Sequence, residues 1–200
     1  MEFINKNTIK LDKEINELDK FVFKFIKFLE KYTDYVIISG YVSILLGRSR
    51  TTEDIDVFIQ PMVKGKFSEF YKELIKNGFW CLNSEDIDEI YGYLQDRLAV
   101  RFALNGQTTP NFEVKFAMKE LDMDSFADRI AVETDLGRLC ISSLERQIAF
   151  KRYYLKSDKD IEDAVHIESL FKKYLDANKI NKYKGMLAKQ NEISKSRKKQ

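Results

Sequence analysis

The sequence has few of the residues that several common classes of protein require. Its 200 residues include two cysteines and one histidine, too few for a disulfide framework, a thiolate metal site or a zinc site with two imidazoles. Two prolines and eight glycines argue against a linker-rich or disordered chain. No run of residues approaches the ~20 apolar positions of a membrane-spanning helix. Because the N-terminal segment is charged and lacks an apolar signal core, we expect a reduced, cytoplasmic protein with no membrane partner.

The residues that are abundant indicate one folded domain, or one domain with a small helical addition. Hydrophobic residues make up 44% of the chain and include 15 Phe and 10 Tyr, which is enough for a substantial core. The net charge of +2 selects no partner by itself. The charge is unevenly spread, however, since residues 83–96 are acidic and residues 179–199 are basic.

The periodicity of the apolar residues predicts a mixed α/β part followed by a helical part. Spacings of three and four residues, typical of amphipathic helices, occur at 11–29, 65–77, 142–155 and 158–176. Short alternating or β-branched runs, typical of strands, occur at 35–39, 54–60, 79–82, 97–104 and 111–118. The Asn-Gly pair at 105–106 predicts a hairpin between the last two strands. Ser157 or Asp158 is expected to cap the last helix, and the chain beyond Ala177 is expected to fray.

Two aspartates in the strand at 54–60 are the most informative feature of the sequence. Side chains two residues apart on a strand point to the same face, so Asp54 and Asp56 place their carboxylates side by side while Ile55 turns into the core. Adjacent carboxylates repel each other unless a cation lies between them. Such hard oxygen ligands suit Mg²⁺ or Mn²⁺, which can bridge an attacking hydroxyl and a triphosphate. The alternative is a solvated strand face.

A turn and a polar loop precede the aspartates and contain groups suited to phosphate. Gly40 follows the strand at 35–39 and begins a short helix, where the missing side chain lets backbone N–H groups approach phosphate oxygens. Ser39 adds a hydroxyl donor, and Arg48 and Arg50 in the loop can neutralise phosphate charge. These residues together predict a nucleotide site.

The run from residue 39 to residue 59 resembles the DNA polymerase β-like nucleotidyltransferase superfamily, and more narrowly its minimal and AbiEii/MenT-like members, several of which are toxins of toxin–antitoxin pairs. Their pattern is a Gly-Gly or Gly-Ser turn, a short helix, an Arg-x-Thr approach and Asp-x-Asp in a strand, as in the run that ends at Asp56. The resemblance implies an α/β (α+β) fold, with a nucleotidyltransferase core of a small mixed sheet flanked by helices and a C-terminal helical subdomain. The substrate-binding residues that it implies are Ser39, Gly40, Arg48, Arg50 and Thr52.

The same resemblance implies a reaction. A nucleoside monophosphate would pass from an NTP, with ATP favoured, to an acceptor hydroxyl, with release of pyrophosphate. Asp54 and Asp56 would be catalytic and would hold Mg²⁺ (or Mn²⁺). A third carboxylate from a neighbouring strand normally completes this metal site, and Glu113 is the candidate, although Asp is more usual there. The alternative for Glu113 is an exposed strand face.

The helical half carries a second match to the AbiEii-like proteins, in which a helix bearing Lys precedes a helix that begins Asp-x-x-Asp. Lys151 would then stabilise charge on the leaving pyrophosphate. Asp160 would orient Lys151 or act on the acceptor hydroxyl, and Asp163 would help to bind the substrate. The alternatives are a surface position for Lys151 and a role for Asp160 in complementing the N-terminus of its helix.

The expected organisation is an N-terminal helix (1–33), a nucleotidyltransferase core (34–137), a helical C-terminal subdomain (138–190) and a flexible basic tail (191–200). The expected acceptor is an RNA 3′ end, such as that of tRNA, or a protein, and an antitoxin protein is a further expected partner. Ser39 stands where Gly is usual, and this departure, with that at Glu113, leaves open a catalytically silent nucleotide-binding or protein-interaction module. A small-molecule, antibiotic-type nucleotidyltransferase is a third interpretation.

Overall fold

The structure is a computed structural model that describes residues 1–197. The strands are β1 (Glu2–Asn5), β2 (Thr8–Lys10), β3 (Tyr35–Ile37), β4 (Asp54–Ile59), β5 (Phe79–Cys81), β6 (Val100–Leu104), β7 (Asn111–Phe116), β8 (Ile130–Thr134) and β9 (Gly137–Ile141). The helices are α1 (Glu17–Leu29), α2 (Gly40–Leu45), α3 (Lys64–Lys76), α4 (Ile87–Gln95), α5 (Glu120–Ala127), α6 (Leu144–Phe150), α7 (Asp158–Phe171) and α8 (Ala177–Arg197). Helix α6 continues as a π-helical segment, Lys151–Leu155. The chain divides into two compact units, Met1–Ile141 and a helical unit that begins at Ser142.

The strands of the described chain form one mixed sheet in the order β1-β2-β8-β9-β3-β4-β7-β6-β5. The pairs β4–β7, β3–β9 and β2–β8 are parallel, and the remaining neighbours are antiparallel. The predicted mixed α/β class is confirmed. The hairpin predicted at the Asn-Gly pair is also confirmed, because β6 and β7 pair across a turn in which Gly106 has a φ of 77°.

Alternation along the central strands separates a packed face of the sheet from a polar face. On β4 the residues Ile55, Val57 and Ile59 are buried, and each is level with an apolar residue of β7. Helix α1 packs on this face, with the ring of Phe25 stacked on that of Phe112 at a centroid distance of 4.0 Å. The opposite face of β4 and β7 is therefore left for the polar residues between them.

The N-terminal helix expected over residues 1–33 is shorter than predicted, because two strands precede it. Helix α1 begins at Glu17, after a capping box in which the Asn16 side chain accepts the Asp19 N–H and the Asp19 carboxylate accepts the Asn16 N–H. Leu11, which fits the helical spacing, lies beyond β2 and is buried there. The acidic stretch at 83–96, for which the sequence predicts no element, contains α4, whose N-cap is Asp86.

The C-terminal third contains a strand and a helix that the sequence does not predict. The helix expected over 142–155 is confirmed and begins at Leu144, but residues 137–141 before it form β9 and bury Leu139 and Ile141 at a period of two. The chain beyond Ala177 does not fray but forms α8, which buries Tyr183 and Leu187 one helical turn apart. Residues 198–200 of the expected basic tail lie outside the described part of the chain. Among residues 1–197, none of the helices combines the length and the apolar character needed to cross a bilayer.

A buried carboxylate joins α1 to the first turn of α2. Asp19 has no exposed surface, and its Oδ1 atom accepts the hydroxyl of Tyr41 at 2.9 Å. The Lys13 ammonium lies 2.8 Å from Oδ2 and offsets the charge. Burial raises the pKa of Tyr41 well above its ordinary value, and the adjacent Asp19 charge adds to this effect, so the phenol remains a hydrogen-bond donor. Tyr41 is thereby fixed directly after the Ser39–Gly40 turn.

Removing the Tyr41 hydroxyl is expected to destabilise the folded protein. Tyr41→Phe should lower the free energy of unfolding by about 1.5–3 kcal/mol, the range for a buried hydrogen bond to a charged group. Tyr91→Phe is the matched control, because its hydroxyl donates to the neutral carbonyl of Met62 at 3.0 Å. Urea unfolding followed by circular dichroism measures both variants. A loss in Tyr41→Phe no larger than that in Tyr91→Phe would contradict this account of the link.

Candidate active site

Strands β4 and β7 bring three carboxylates to one face of the sheet. The two strands are parallel and in register, with Asp54 level with Asn111 and Asp56 level with Glu113. Paired residues of neighbouring strands point to the same face, so Asp54, Asp56 and Glu113 share the polar face opposite α1. The predicted strand at 54–60 and the predicted same-face arrangement of the two aspartates are confirmed.

Two cations balance these carboxylates. The Lys115 ammonium lies 3.6 Å from Asp56 Oδ1 and also donates a hydrogen bond to Glu113 Oε1. The Arg101 guanidinium, from β6, lies 2.7 Å from Glu113 Oε2. Lys115 lies two residues after Glu113 on β7, so alternation along the strand puts both on one face, but the sequence predicts no role for it. Arg101 was missed, and its position follows only from the β6–β7 register, in which it is level with Glu113.

The titration properties of the cluster follow from burial and charge. Burial raises the pKa of Asp56, and the negative charges of Glu113 and Asp54 add to this, whereas Lys115 and a hydrogen bond from Ser39 oppose it. For Glu113, burial acts in the same direction but is outweighed by Lys115 and Arg101, so its pKa lies below the ordinary value. Burial alone would lower the pKa of Lys115, yet contact with the two carboxylates raises it. The lysine therefore stays charged.

The turn before α2 has a backbone that suits glycine better than the serine present. Ser39 has φ 63° and ψ −136°, a region in which side chains are strained, and its hydroxyl donates to the Asp56 carboxylate. Gly40 follows it, and a Cβ atom there would lie 2.5 Å from an Arg50 guanidinium nitrogen. The absence of a side chain at Gly40 thus allows the positive charge of Arg50 to lie against the turn.

Thr52 and Asn111 fix the chain that leads into β4. The Thr52 hydroxyl is 3.0 Å from the Asp54 carbonyl oxygen and 3.3 Å from Asp54 Oδ1. The Asn111 side-chain amide donates to the carbonyl oxygens of Glu53 and Thr108 at 3.3 and 3.2 Å. The sequence predicts no role for Asn111, although as the first residue of the predicted strand it lies on the same face as Glu113.

The predicted site residues of the first unit lie on β4 and β7 and on the segment from Ser39 to Thr52 that precedes β4. The residues near β4 and β7 are Ser39, Gly40, Arg50, Thr52, Asp54, Asp56 and Glu113. Arg48 follows α2, where its backbone N–H donates to the Ser43 carbonyl at 2.9 Å. In the part of the chain that is described, no group of three or more His, Cys, Asp or Glu side chains is arranged to hold a metal ion. The Glu113 carboxylate forms ion pairs with Arg101 and Lys115 instead.

Lys151, Asp160 and Asp163 form a separate cluster within the helical unit. Lys151 is 1% exposed, and its Nζ atom lies 2.8 Å from Asp163 Oδ2 and 3.8 Å from Asp160 Oδ1. The surface alternative for Lys151 is therefore wrong. Asp160 also completes a capping box with Ser157, the N-cap of α7, which confirms the predicted cap and its contribution to the helix start. Lys151 begins the π-helical segment, a rare geometry often found at functional sites.

Comparisons with known proteins establish the fold. No protein-family model matches the chain, and no curated protein matches it in sequence. The antibiotic-resistance factor ANT(2'')-Ia is similar in structure, with a TM-score of 0.53 and 14% identity over 89% of this chain and 95% of that one. Its complex with adenylyl-2''-tobramycin gives a TM-score of 0.50 and 14% identity over 86% and 97%. An antigenic nucleotidyltransferase-like protein from Paracoccidioides brasiliensis gives 0.50 and 18% over 88% and 89%. The chain has a nucleotidyltransferase fold.

The strain at Ser39 leads to a test by substitution. Ser39→Gly and Ser39→Ala both lose the hydrogen bond to Asp56, but only Ser39→Ala retains a side chain at a φ of 63°. We expect the glycine variant to be more stable than the alanine variant by about 1 kcal/mol, after allowing for the greater freedom of glycine in the unfolded chain. Thermal unfolding monitored by circular dichroism measures the difference. Equal stability, or a more stable alanine variant, would contradict backbone strain at this turn.

Proposed function

We propose that the protein is a Mg²⁺-dependent nucleotidyltransferase that moves a nucleoside monophosphate from an NTP, with ATP favoured, to an acceptor hydroxyl. The observation that carries the proposal is the Asp54–Asp56 pair on β4, in which Asp56 is level with Glu113 on β7 and accepts a hydrogen bond from Ser39. A nucleotidyltransferase fold around these residues supports the same reaction. The narrower AbiEii/MenT-like assignment remains a prediction from the sequence resemblance.

The donor set suits a hard divalent ion. Asp54 and Asp56 would hold Mg²⁺ or Mn²⁺ through carboxylate oxygens, the ligands that these ions prefer. Glu113 would complete the site by exchanging its contact with Lys115 or Arg101 for the ion. When bound, the ion would neutralise charge on the triphosphate and on the attacking oxygen.

The groups of this chain would mainly position the reactants and balance charge. The acceptor oxygen bonds to the α-phosphorus, its hydroxyl proton leaves, and the bond from the α-phosphorus to the bridging oxygen breaks to release pyrophosphate. Ser39, Gly40 and Thr52 would bind the triphosphate, with Arg48 and Arg50 neutralising its charge. The Arg50 guanidinium already lies against Gly40, where such a phosphate would be bound.

The first prediction of this proposal concerns nucleotide affinity. ATP should bind only with Mg²⁺, because the bare Asp54–Asp56 pair repels the triphosphate. In Asp54→Asn/Asp56→Asn, the dependence of affinity on Mg²⁺ should disappear. Isothermal titration calorimetry with and without Mg²⁺ measures both, and unfolding curves should show stability unchanged or raised, since like charges have been removed. Equal ATP affinity in all four conditions would overturn the metal assignment.

The remaining candidate functions differ in the acceptor of the nucleoside monophosphate, or in whether there is one. An RNA 3′ end, such as that of tRNA, or a protein is proposed, with an antitoxin protein as a further partner. ANT(2'')-Ia, whose fold is similar, has been observed with adenylyl-2''-tobramycin, which favours a small-molecule acceptor as the second candidate. The two cations on Glu113 favour a silent binding module as the third.

Incubation of the protein with α-³²P-labelled ATP and Mg²⁺ distinguishes these candidates. Total tRNA, cell protein and tobramycin are offered separately. Label on one acceptor, with matching release of pyrophosphate, identifies the reaction. ATP binding without label on any acceptor and without pyrophosphate would support the silent module.

Lys151 and its two aspartates are proposed to act on the leaving pyrophosphate, as the sequence resemblance implies. Lys151 and Asp163 form a nearly unexposed ion pair, so removing one partner alone would leave an uncompensated buried charge. A paired replacement, Lys151→Met/Asp163→Leu, removes both charges at similar volume and is expected to stay folded. The neighbouring Arg152–Glu168 pair, which is part-exposed, provides a matched control as Arg152→Met/Glu168→Leu.

Turnover of labelled ATP is the measurement that separates chemistry from structure. We expect the Lys151→Met/Asp163→Leu variant to lose turnover on the order of a hundredfold, the scale for loss of one charge-stabilising donor. The control pair should keep turnover near that of the wild type. Equal turnover in both folded variants would assign Lys151 and Asp163 a purely structural role.

A further inference from the structure

A groove on the outer side of α1 is lined by cations from two elements. It has a volume of about 490 Å³ and lies between α1 and the β8–β9 hairpin. Its floor includes the apolar side chains of Phe23 and Leu136. Its cationic lining consists of Lys20, Lys24, Lys27 and Arg138. The groove lies entirely within the Met1–Ile141 unit.

The local geometry explains why these groups converge. Positions 20, 24 and 27 are one and two turns apart on a helix, so the three lysines form a single stripe along α1. The stripe advances roughly 6 Å between the first two lysines and about 4.5 Å between the next two. Across the groove, Gly137 has a φ of 136° and would place a Cβ atom 3.6 Å from the Phe23 ring. That distance is an ordinary van der Waals contact, so the Phe23 ring lies against the hairpin beside Arg138, while the backbone angle of Gly137 is the feature that favours glycine.

The positive charge of the groove is only weakly compensated. Lys20 pairs with Glu17, but both side chains are largely exposed and such a pair contributes little. Within residues 1–197, Lys27 and Arg138 have no carboxylate at ion-pair distance. Glu30 is the acidic residue of the lining. The Lys24 ammonium lies over the Phe79 ring, 5.4 Å from its centroid, so only the Lys24 stem lines the groove. The charges of Lys20, Lys27 and Arg138 therefore face the single negative charge of Glu30.

The groove is distinct from the candidate active site. Helix α1 packs its inner side on Phe112 of the sheet. Asp54, Asp56 and Glu113 lie on the opposite face of the same strands. A ligand in the groove would consequently bind behind the sheet, away from the carboxylates.

We propose that this groove binds single-stranded RNA. Lys20 and Lys27 offer two positive charges along α1 for phosphates of the strand, and Arg138 offers a third from the hairpin. Phe23 offers a part-exposed aromatic ring on which a base can stack, a contact typical of proteins that bind single strands without reading sequence. An acidic peptide could pair with the same cations but would make no base-stacking contact with the Phe23 ring. The proposal does not depend on the transferase activity.

Binding of fluorescein-labelled twelve-nucleotide poly(U) RNA, followed by fluorescence anisotropy without NTP, tests the proposal. In Lys20→Gln/Lys24→Gln/Lys27→Gln, affinity should fall by tenfold or more at low salt, and the slope of log affinity against log salt should flatten by about 1.4, because the phosphate contacts of Lys20 and Lys27 are lost. The matched control is Lys66→Gln/Lys72→Gln/Lys76→Gln on α3, which removes the same charge from exposed positions of another helix. This control should bind as the wild type does.

One further variant tests the stacking contact in the groove. Phe23→Leu keeps an apolar side chain and should weaken poly(U) binding several-fold by loss of stacking. The titrations contain neither NTP nor Mg²⁺, so failure of the transferase proposal leaves this result intact. Equal RNA affinity in the α1 and α3 triple variants would overturn the proposal. Loss of poly-glutamate binding in the α1 variant, with RNA binding intact, would overturn it in favour of an acidic protein partner.

Discussion

The central constraint in this molecule is the crowding of negative charge where β4 and β7 run side by side. Asp54, Asp56 and Glu113 share a partly buried strip of sheet, and their mutual repulsion would be unfavourable without nearby cations. Lys115 provides one cation from β7, the strand of Glu113, and Arg101 provides the other from β6. The protein thus balances its own charges in the absence of any ligand. A metal ion or a phosphate must compete with these internal partners.

The rest of the first unit holds this strip in place. Aromatic rings from α1 pack against β7 and bury the apolar face of the sheet. Because side chains alternate along a strand, the residues between the buried ones lie on the polar face. Asp19 and Tyr41 connect α1 to the turn at Ser39, and the Ser39 hydroxyl is hydrogen-bonded to Asp56. The backbone strain at Ser39 is tolerated because the surrounding contacts fix the turn on both sides.

The sequence allowed the local features to be predicted, but not the contacts that depend on long-range pairing. Alternation identified β4 and β7 and the shared face of Asp54 and Asp56, and the capping preference of Ser157 identified the start of α7. Arg101 was missed because only the strand register places it beside Glu113. The β9 strand was missed because a five-residue segment shows its period of two too briefly. Helix α8 was missed because two buried residues outweigh a polar composition.

The parallel pairing of β4 with β7 has a consequence for the order in which the chain can fold. A parallel partner requires a long connection, and here α3, β5, α4 and β6 all lie between the two strands in sequence. Until β7 joins the sheet, Asp54 and Asp56 have neither Lys115 nor the third carboxylate beside them. Pairing of strands that are distant in sequence is slow because it requires the closure of a large loop. The Asp54–Asp56 pair therefore gains its cation and its third carboxylate only when that loop closes.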